Sequence, residues 1–197
     1  MHIEQFVLAY RIEQDQIRAM LPGDFESLRP VLRINTEIQK TAETTAVYIE
    51  FNTPVSGHSK NGWLNIANWS SSNTDIECLK NNKTTVIRTP FFELTYTLVG
   101  MQGGCPAEKN NDGCFYLGNG LVFKPSEVIH ENKEYCDSRF AWLFSDHDAC
   151  GRSTGETLPA FREDKKTAYE PIELTAQNAA AIPCQQVLGN YVVIFER

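Results

Sequence analysis

A chain of 197 residues, 42% hydrophobic and 22% charged, is long and apolar enough for a sizeable core, which excludes a disordered chain. A formal charge of −7 excludes the basic face that phosphate binding needs, so nucleic acid is not an expected partner. No stretch approaches the roughly 18 consecutive apolar residues of a membrane span, "MHIEQFVLAY" does not read as a secretory leader, and the six cysteines are spread without a Cys-x-x-Cys. One cytoplasmic domain over 1–197, with free thiols and no membrane contact, is therefore the expectation.

"QFVLAYRI" alternates as a strand should. From Glu13 to Leu21 the apolar residues Ile17, Met20 and Leu21 fall at i, i+3, i+4, one stripe of a short helix, and Pro22-Gly23 stops it. "PVLRINTEIQ" then puts Val31, Arg33, Asn35 and Glu37 on one face and Leu32, Ile34, Thr36 and Ile38 on the other, a half-buried strand. "TTAVYIEFN" and "GWLNIANWS" read as strands joined by the loop "TPVSGHSKN". "KTTVIRT" and "FFELTYTLVG" are separated by Pro90, which interrupts a ladder. Residues 101–114 read as a Gly/Asn loop, and "CFYLGNGLVFKP" as a hairpin turning at Gly118-Asn119-Gly120. "EVIHENKEYC" reads as a short helix or the approach to a strand over 136–144. A charged loop follows from Ser145 to Pro171, then a short helix over 174–181 and the closing strand "NYVVIF". The expected fold is α+β, mostly β, with one or two short helices on curved antiparallel sheet, because many short strands must remove or cover their edges.

Tyr10-Arg11, the acidic Glu13 and Asp15, Ile17-Arg18, Leu21-Pro22, Glu26, Pro30 and Leu32-Arg33 together resemble the N-terminal module of the acetoacetate decarboxylase superfamily. The likeness runs without gaps from Phe6 to Glu37 and continues through Tyr48-Ile49-Glu50 and "NGWLNIANW"; from Glu170 to Phe195 it is one of shape only. The resemblance implies a cone-shaped antiparallel β-barrel around a small, mostly apolar pocket for a keto-acid-like molecule, and assembly into homo-oligomers. It also implies a chemistry. In that family a lysine amine adds to the ketone of a β-keto acid, and the protonated imine takes up electrons as carbon dioxide leaves. Such an amine is neutral near pH 7, far below the roughly 10.4 of free lysine, through desolvation or a neighbouring cation. Neither a cofactor nor a metal is implied.

On this chain the resemblance places Glu50 at an active-site glutamate, as acid/base. Asn35 stands where the family has a second glutamate, as a polar orienter, and Glu37 shares its strand face two residues on. Ile3 stands at the family's leading arginine, and "KNNKTTVIRTPFFEL" holds no adjacent lysine pair. Lys83 is the candidate nucleophile within it, with Arg88 a cationic neighbour whose five-residue spacing puts it on the opposite face of a strand. Arg33, Glu37, Trp63 and Arg88 are the expected substrate contacts, with Trp63 the aromatic chosen to line the pocket. Of Trp69, Phe91, Phe92, Phe115, Trp142 and Phe144, most are expected in the core. The expectation is that Asn35 and Glu50 meet the ligand on the inward side of the curled sheet.

Other chemistry-bearing residues have blander readings. Asp146-His147-Asp148, near His130, Cys136 and Cys150, lacks the paired spacing of a zinc site and reads as a polar loop. Cys105 and Cys114 flank a glycine loop with no histidine at a recognisable spacing, and Lys165-Lys166 reads as a solvated pair. Two alternatives to a lyase stay open: a non-catalytic small-molecule binding domain on the same barrel, and a lipocalin-like carrier.

Overall fold

The computed structural model describes residues 1–105, 113–127, 129–143 and 172–197, and among them twelve strands and two short helices. β1 (His2–Arg11) leads into α1 (Gln14–Met20). Glu13 is the cap rather than the first helical residue: its carboxylate accepts the N–H groups of Asp15 and Gln16, donors with no partner inside the helix. Ile17 and Met20 are buried, as their spacing demands. β2 (Phe25–Ser27) and β3 (Val31–Lys40) follow.

The segment read as a loop between two strands is instead paired. β4 (Thr45–Gly57) and β5 (Lys60–Ser70) run on through Pro54, opposite Trp63, to a two-residue turn at His58-Ser59 with φ of 51° and 61°. β6 (Glu77–Asn81), absent from the sequence reading, forms a tight hairpin with β7 (Thr84–Arg88), and β8 (Phe92–Gly103) extends into the segment read as loop. β9 (Gly113–Tyr116) and β10 (Val122–Pro125) form the expected hairpin. β11 (Lys133–Trp142) replaces the short helix considered over 127–136. α2 (Ala176–Ala180) and β12 (Gln186–Glu196) close the described chain. Among the described residues no helix is long and apolar enough to cross a membrane.

These strands form one sheet in the order β10-β9-β5-β4-β3-β1-β12-β11-β8-β7-β6, with β2 attached to β4. Every pairing is antiparallel except that of β5 with β9. The path has two ends, β10 and β6, and no pairing among the described residues joins them, so the mostly β expectation holds while these strands do not complete a ring. The sheet nevertheless curls. Trp69 on β5 packs on Phe92 of β8 at 4.9 Å between ring centroids, although five other strands separate theirs in the sheet. Trp142 of β11 meets Phe51 of β4 at 5.1 Å.

One face of the curled sheet carries the main core: Phe6, Leu8 and Tyr10 from β1, Leu32, Ile34 and Ile38 from β3, Val47, Ile49 and Phe51 from β4, and the aromatics of β8 and β11. Both helices lie over it through Ile17, Met20, Ala179 and Ala180. The apolar stripe of α1 thus covers an apolar sheet face. Phe91 departs from expectation and is 39% exposed. Phe144 lies outside the described residues.

At one edge of this face Glu4, 3% exposed, accepts from Lys40 Nζ at 2.6 Å and from Lys80 Nζ at 2.7 Å. Lys80 belongs to the last strand of the path, so the ion pairs clasp β6 to β1 across the curl. His2 Nε2 stands 3.7 Å away. Burial is the largest single influence on the Glu4 carboxyl and would raise it, but the bonds and charges of Lys40 and Lys80 together hold it below its ordinary 4.5. Since the folded value is the lower one, the clasp stabilises fully above 4.5 and is lost as the pH falls from there through the folded value. Glu4→Gln is expected to cost about 1–2 kcal/mol at neutral pH, less than an isolated buried pair because both ammonium ends are partly exposed. Thermal unfolding against pH checks this: the variant's Tm should fall less steeply in acid, and an unchanged acid limb would assign that limb to other carboxylates.

Candidate functional site

Alternation along β3 and β4 puts a second set of side chains on the face opposite the main core. Asn35 and Glu50 are cross-strand partners in direct register, and so are Arg33 with Asn52 and Glu37 with Tyr48. The structure therefore brings Asn35 and Glu50 together. It does so on the side away from the aromatic core, because their strand neighbours Ile34 and Phe51 occupy that core.

Glu50 is only 6% exposed. Its Oε1 accepts the Tyr48 hydroxyl at 3.0 Å and, closer still, the Tyr116 hydroxyl from β9; its Oε2 accepts from Asn52 Nδ2 at 3.3 Å. The donors continue outward in one direction. Asn65 Nδ2 donates to Asn52 Oδ1 at 3.0 Å, and the exposed Asn68 donates through Nδ2 to Asn65 Oδ1 at 3.0 Å. A β-bulge makes that chain possible. Between Phe51 and Asn52 the β4–β5 register slips by one, so Asn52 faces Asn65 where an unbroken ladder would present Ile66.

Burial first, and the Glu50 charge and hydrogen bond after it, push both Tyr48 and Tyr116 well above the ordinary tyrosine value. Both hydroxyls keep their protons at any physiological pH and serve Glu50 as donors. Lys124 of β10 places its ammonium 4.7 Å from the centre of the Tyr116 ring. Arg33, 8% exposed, lays its guanidinium over Trp63 at 3.7 Å from the ring centre, and Arg29 approaches the same ring at 5.7 Å. Asn35 turns a buried Oδ1 that has no hydrogen-bond partner among the described residues.

The other expected residues fall elsewhere. Glu37 shares this face but is engaged by Gln5 Nε2 at 3.1 Å, Gln39 Nε2 at 3.0 Å and Arg197 at 3.5 Å. Lys83 is a turn residue of the β6–β7 hairpin, exposed, at the opposite end of the strand path from the β5–β9–β10 end. Arg88 lies exposed between Glu77 at 3.2 Å and Glu93 at 2.9 Å, which accounts for its charge on the surface. Burial pushes the Cys136 thiol up to about 12, so it stays protonated. Asp146-His147-Asp148, Cys150 and Lys165-Lys166 lie outside the described residues; among those described, no group of three or more His, Cys, Asp or Glu is placed to hold a metal.

Sequence reasoning missed Tyr48, Asn52, Asn65 and Tyr116. Two were within reach: Tyr48 and Asn52 flank Glu50 at i−2 and i+2, one strand face. Tyr116 arrives from 66 residues away along the chain through the parallel β5–β9 pairing, which no local pattern announces.

No family model and no curated protein matches the sequence. Solved structures do match its fold. An acetoacetate decarboxylase from Legionella pneumophila is similar over 98% of this chain and 81% of its own, with a TM-score of 0.56 and 11% identity. The enduracididine biosynthesis enzyme MppR, complexed with the condensation product of pyruvate and imidazole 4-carboxaldehyde, is similar over 98% and 84%, at a TM-score of 0.53 and 10% identity. An acetoacetate decarboxylase-like enzyme from Sphingomonas wittichii is similar over 98% and 87%, at 0.51 and 10%. At such identities the likeness is one of fold, and that fold is the one the residues from Phe6 to Glu37 resembled.

Proposed function

From an acetoacetate decarboxylase-like fold, we propose that this chain binds a small keto-acid-like molecule on the polar face of β3 and β4. Arg33 takes its carboxylate and Glu50 stands as the acid–base group. The observation that carries the reading is Glu50 itself: a nearly inaccessible carboxylate held by two tyrosines and an asparagine, in register with Asn35. Burying a carboxylate is costly unless it is well paired, and a merely structural position is filled more cheaply by an apolar residue. The MppR complex, whose ligand is made in part from pyruvate, supports the ligand class.

Arg33 supplies a planar fork suited to a carboxylate, and stacking on Trp63 limits its rotation. The tyrosines and Asn52 fix the rotamer of Glu50 and leave Oε2 with a single donor among the described residues. In this reading Glu50 Oε2 accepts the proton that a bound molecule gives up. Lys83, in its hairpin turn, does not support an imine at this face; Lys124 is the lysine next to the Glu50–Tyr116 pair.

The test is an amide NMR titration with pyruvate, paired with borohydride reduction and mass spectrometry. Pyruvate should shift the signals of Arg33, Asn35, Glu50 and Tyr116, and Arg33→Gln should weaken binding at least tenfold, the loss of one charged hydrogen bond or more. No lysine should become reduced onto pyruvate. Shifts confined to other residues would overturn the site, and an adduct on Lys83 or Lys124 would restore imine chemistry at that lysine.

A further inference from the structure

We propose that two copies of this chain pair through the outer edge of β6, antiparallel, across a two-fold axis at Leu79. The surface lies at the end of the strand path remote from Glu50, and the proposal does not rest on the proposed function.

The path ends at β6, which pairs with β7 on one side and with no described strand on the other. Register and turn decide which backbone groups face that outer edge. A two-residue hairpin closes on a hydrogen-bonded pair, here Asn81 with Thr84, so Leu79 with Val86 and Glu77 with Arg88 are the next pairs to exchange bonds. The far side of β7 agrees. Leu98 N–H donates to the Lys83 carbonyl at 2.8 Å and Thr89 N–H to the Phe92 carbonyl at 3.0 Å, so odd-numbered residues here bond toward β8 and even-numbered ones toward β6. Cys78 and Lys80 therefore turn their N–H and C=O groups outward, a template for another strand. The other end of the path is worse suited, because β10 has four residues and ends on Pro125, which has no donor. β6 contains no proline.

A second copy of β6 completes this template when Leu79 faces Leu79. Cys78 of each copy then exchanges bonds with Lys80 of the other, and every outward donor and acceptor on both strands is used. Leu79 is 45% exposed in the single chain, and a pair of this kind, not itself hydrogen-bonded, brings side chains closest. Val86 beside it, half-buried, widens the apolar strip. Charge suits the same register. Glu77 comes opposite Asn81 of the other copy, beside the turn that carries the exposed Lys83, while each Lys80 is already bonded to its own Glu4 at 2.7 Å. Centring on Lys80 instead would set two ammonium groups face to face, and centring on Cys78 would run Lys80 past the strand end onto Ile76.

Sedimentation of the full chain should show monomer converting to dimer as concentration rises through the micromolar range, the weak end expected of so short a seam. Leu79→Lys changes an exposed side chain but places like charges at the axis. It should weaken association about tenfold while leaving Tm unchanged. Cysteine linkage reads the register. Under mild oxidation Leu79→Cys should cross-link to itself beyond the level of the parent. Asn81→Cys, whose copies stand roughly 13 Å apart along the paired strands, should not, yet it should link when mixed with Glu77→Cys. A chain that stays monomeric at millimolar concentration, a Leu79→Lys variant that associates as tightly as the parent, or any other linkage pattern overturns the proposal.

Discussion

Glu50→Leu is expected to abolish binding of small acids and to destabilise the chain by about 3 kcal/mol. The change strips the acceptor from three donors at once: the hydroxyls of Tyr48 and Tyr116 and the Asn52 amide. A buried donor left unpaired costs roughly 1–3 kcal/mol, so three would exceed the figure given. The estimate is lower because burial of the charge itself is relieved, and because Tyr48 and Tyr116 are only half-buried and recover some contact with water. Glu50→Gln separates the two effects. It keeps the volume and one oxygen, yet turns an NH2 group toward either the tyrosine hydroxyls or the Asn52 amide. About 1–2 kcal/mol should be lost, with binding weakened at least tenfold. Denaturant unfolding and NMR titration of both variants check this. A leucine variant as stable as the parent would mean that the tyrosines do not depend on Glu50, and the site would lose its organising group.

This polar face also shows how much of the molecule was legible before the structure. Alternation in "PVLRINTEIQ" separated Arg33, Asn35 and Glu37 from Leu32, Ile34 and Ile38, and the structure keeps that division. Period-2 patterning says which residues share a face; it does not say which face curls inward. That depends on contacts such as Trp69 with Phe92, made between strands far apart in the sheet. Alternation alone does not put Asn35 and Glu50 on the inward side, and the aromatic core occupies the face opposite theirs. The Asn52–Asn65 contact rests on a bulge whose only sequence trace is one extra residue, Ile66. Lys83 is the amine in the segment where the resemblance expects one, but Asn82-Lys83 is the two-residue turn between β6 and β7, with Asn82 at a φ of 44° that asparagine tolerates.

Curvature itself is open to test at Trp142. Its ring lies 4.6 Å from Phe140 and 5.2 Å from Phe92 on its own side of the sheet, and 5.1 Å from Phe51 and 6.2 Å from Trp69 on the other. One side chain thus fills the seam where β4 and β5 fold over β8 and β11. The ring is 4% exposed, and several of its neighbours meet it edge to face, a geometry worth about 0.5–1.5 kcal/mol a pair beyond area burial. Trp142→Ala is expected to cost about 3–5 kcal/mol, because a rigid aromatic cluster attached to four strands cannot collapse into the space left. Trp142→Phe keeps part of the seam and should lose roughly half as much. The polar face gives the control. Arg33, Asn35 and Glu50 point away from this core, so below its lowered melting temperature Trp142→Ala should still bind the same acid with an affinity within about threefold of the parent. A loss under about 1 kcal/mol would mean the seam does not hold the curl. A folded Trp142→Ala protein that no longer binds would mean the two faces are coupled, with the shape of the site set by packing on the far side of the sheet.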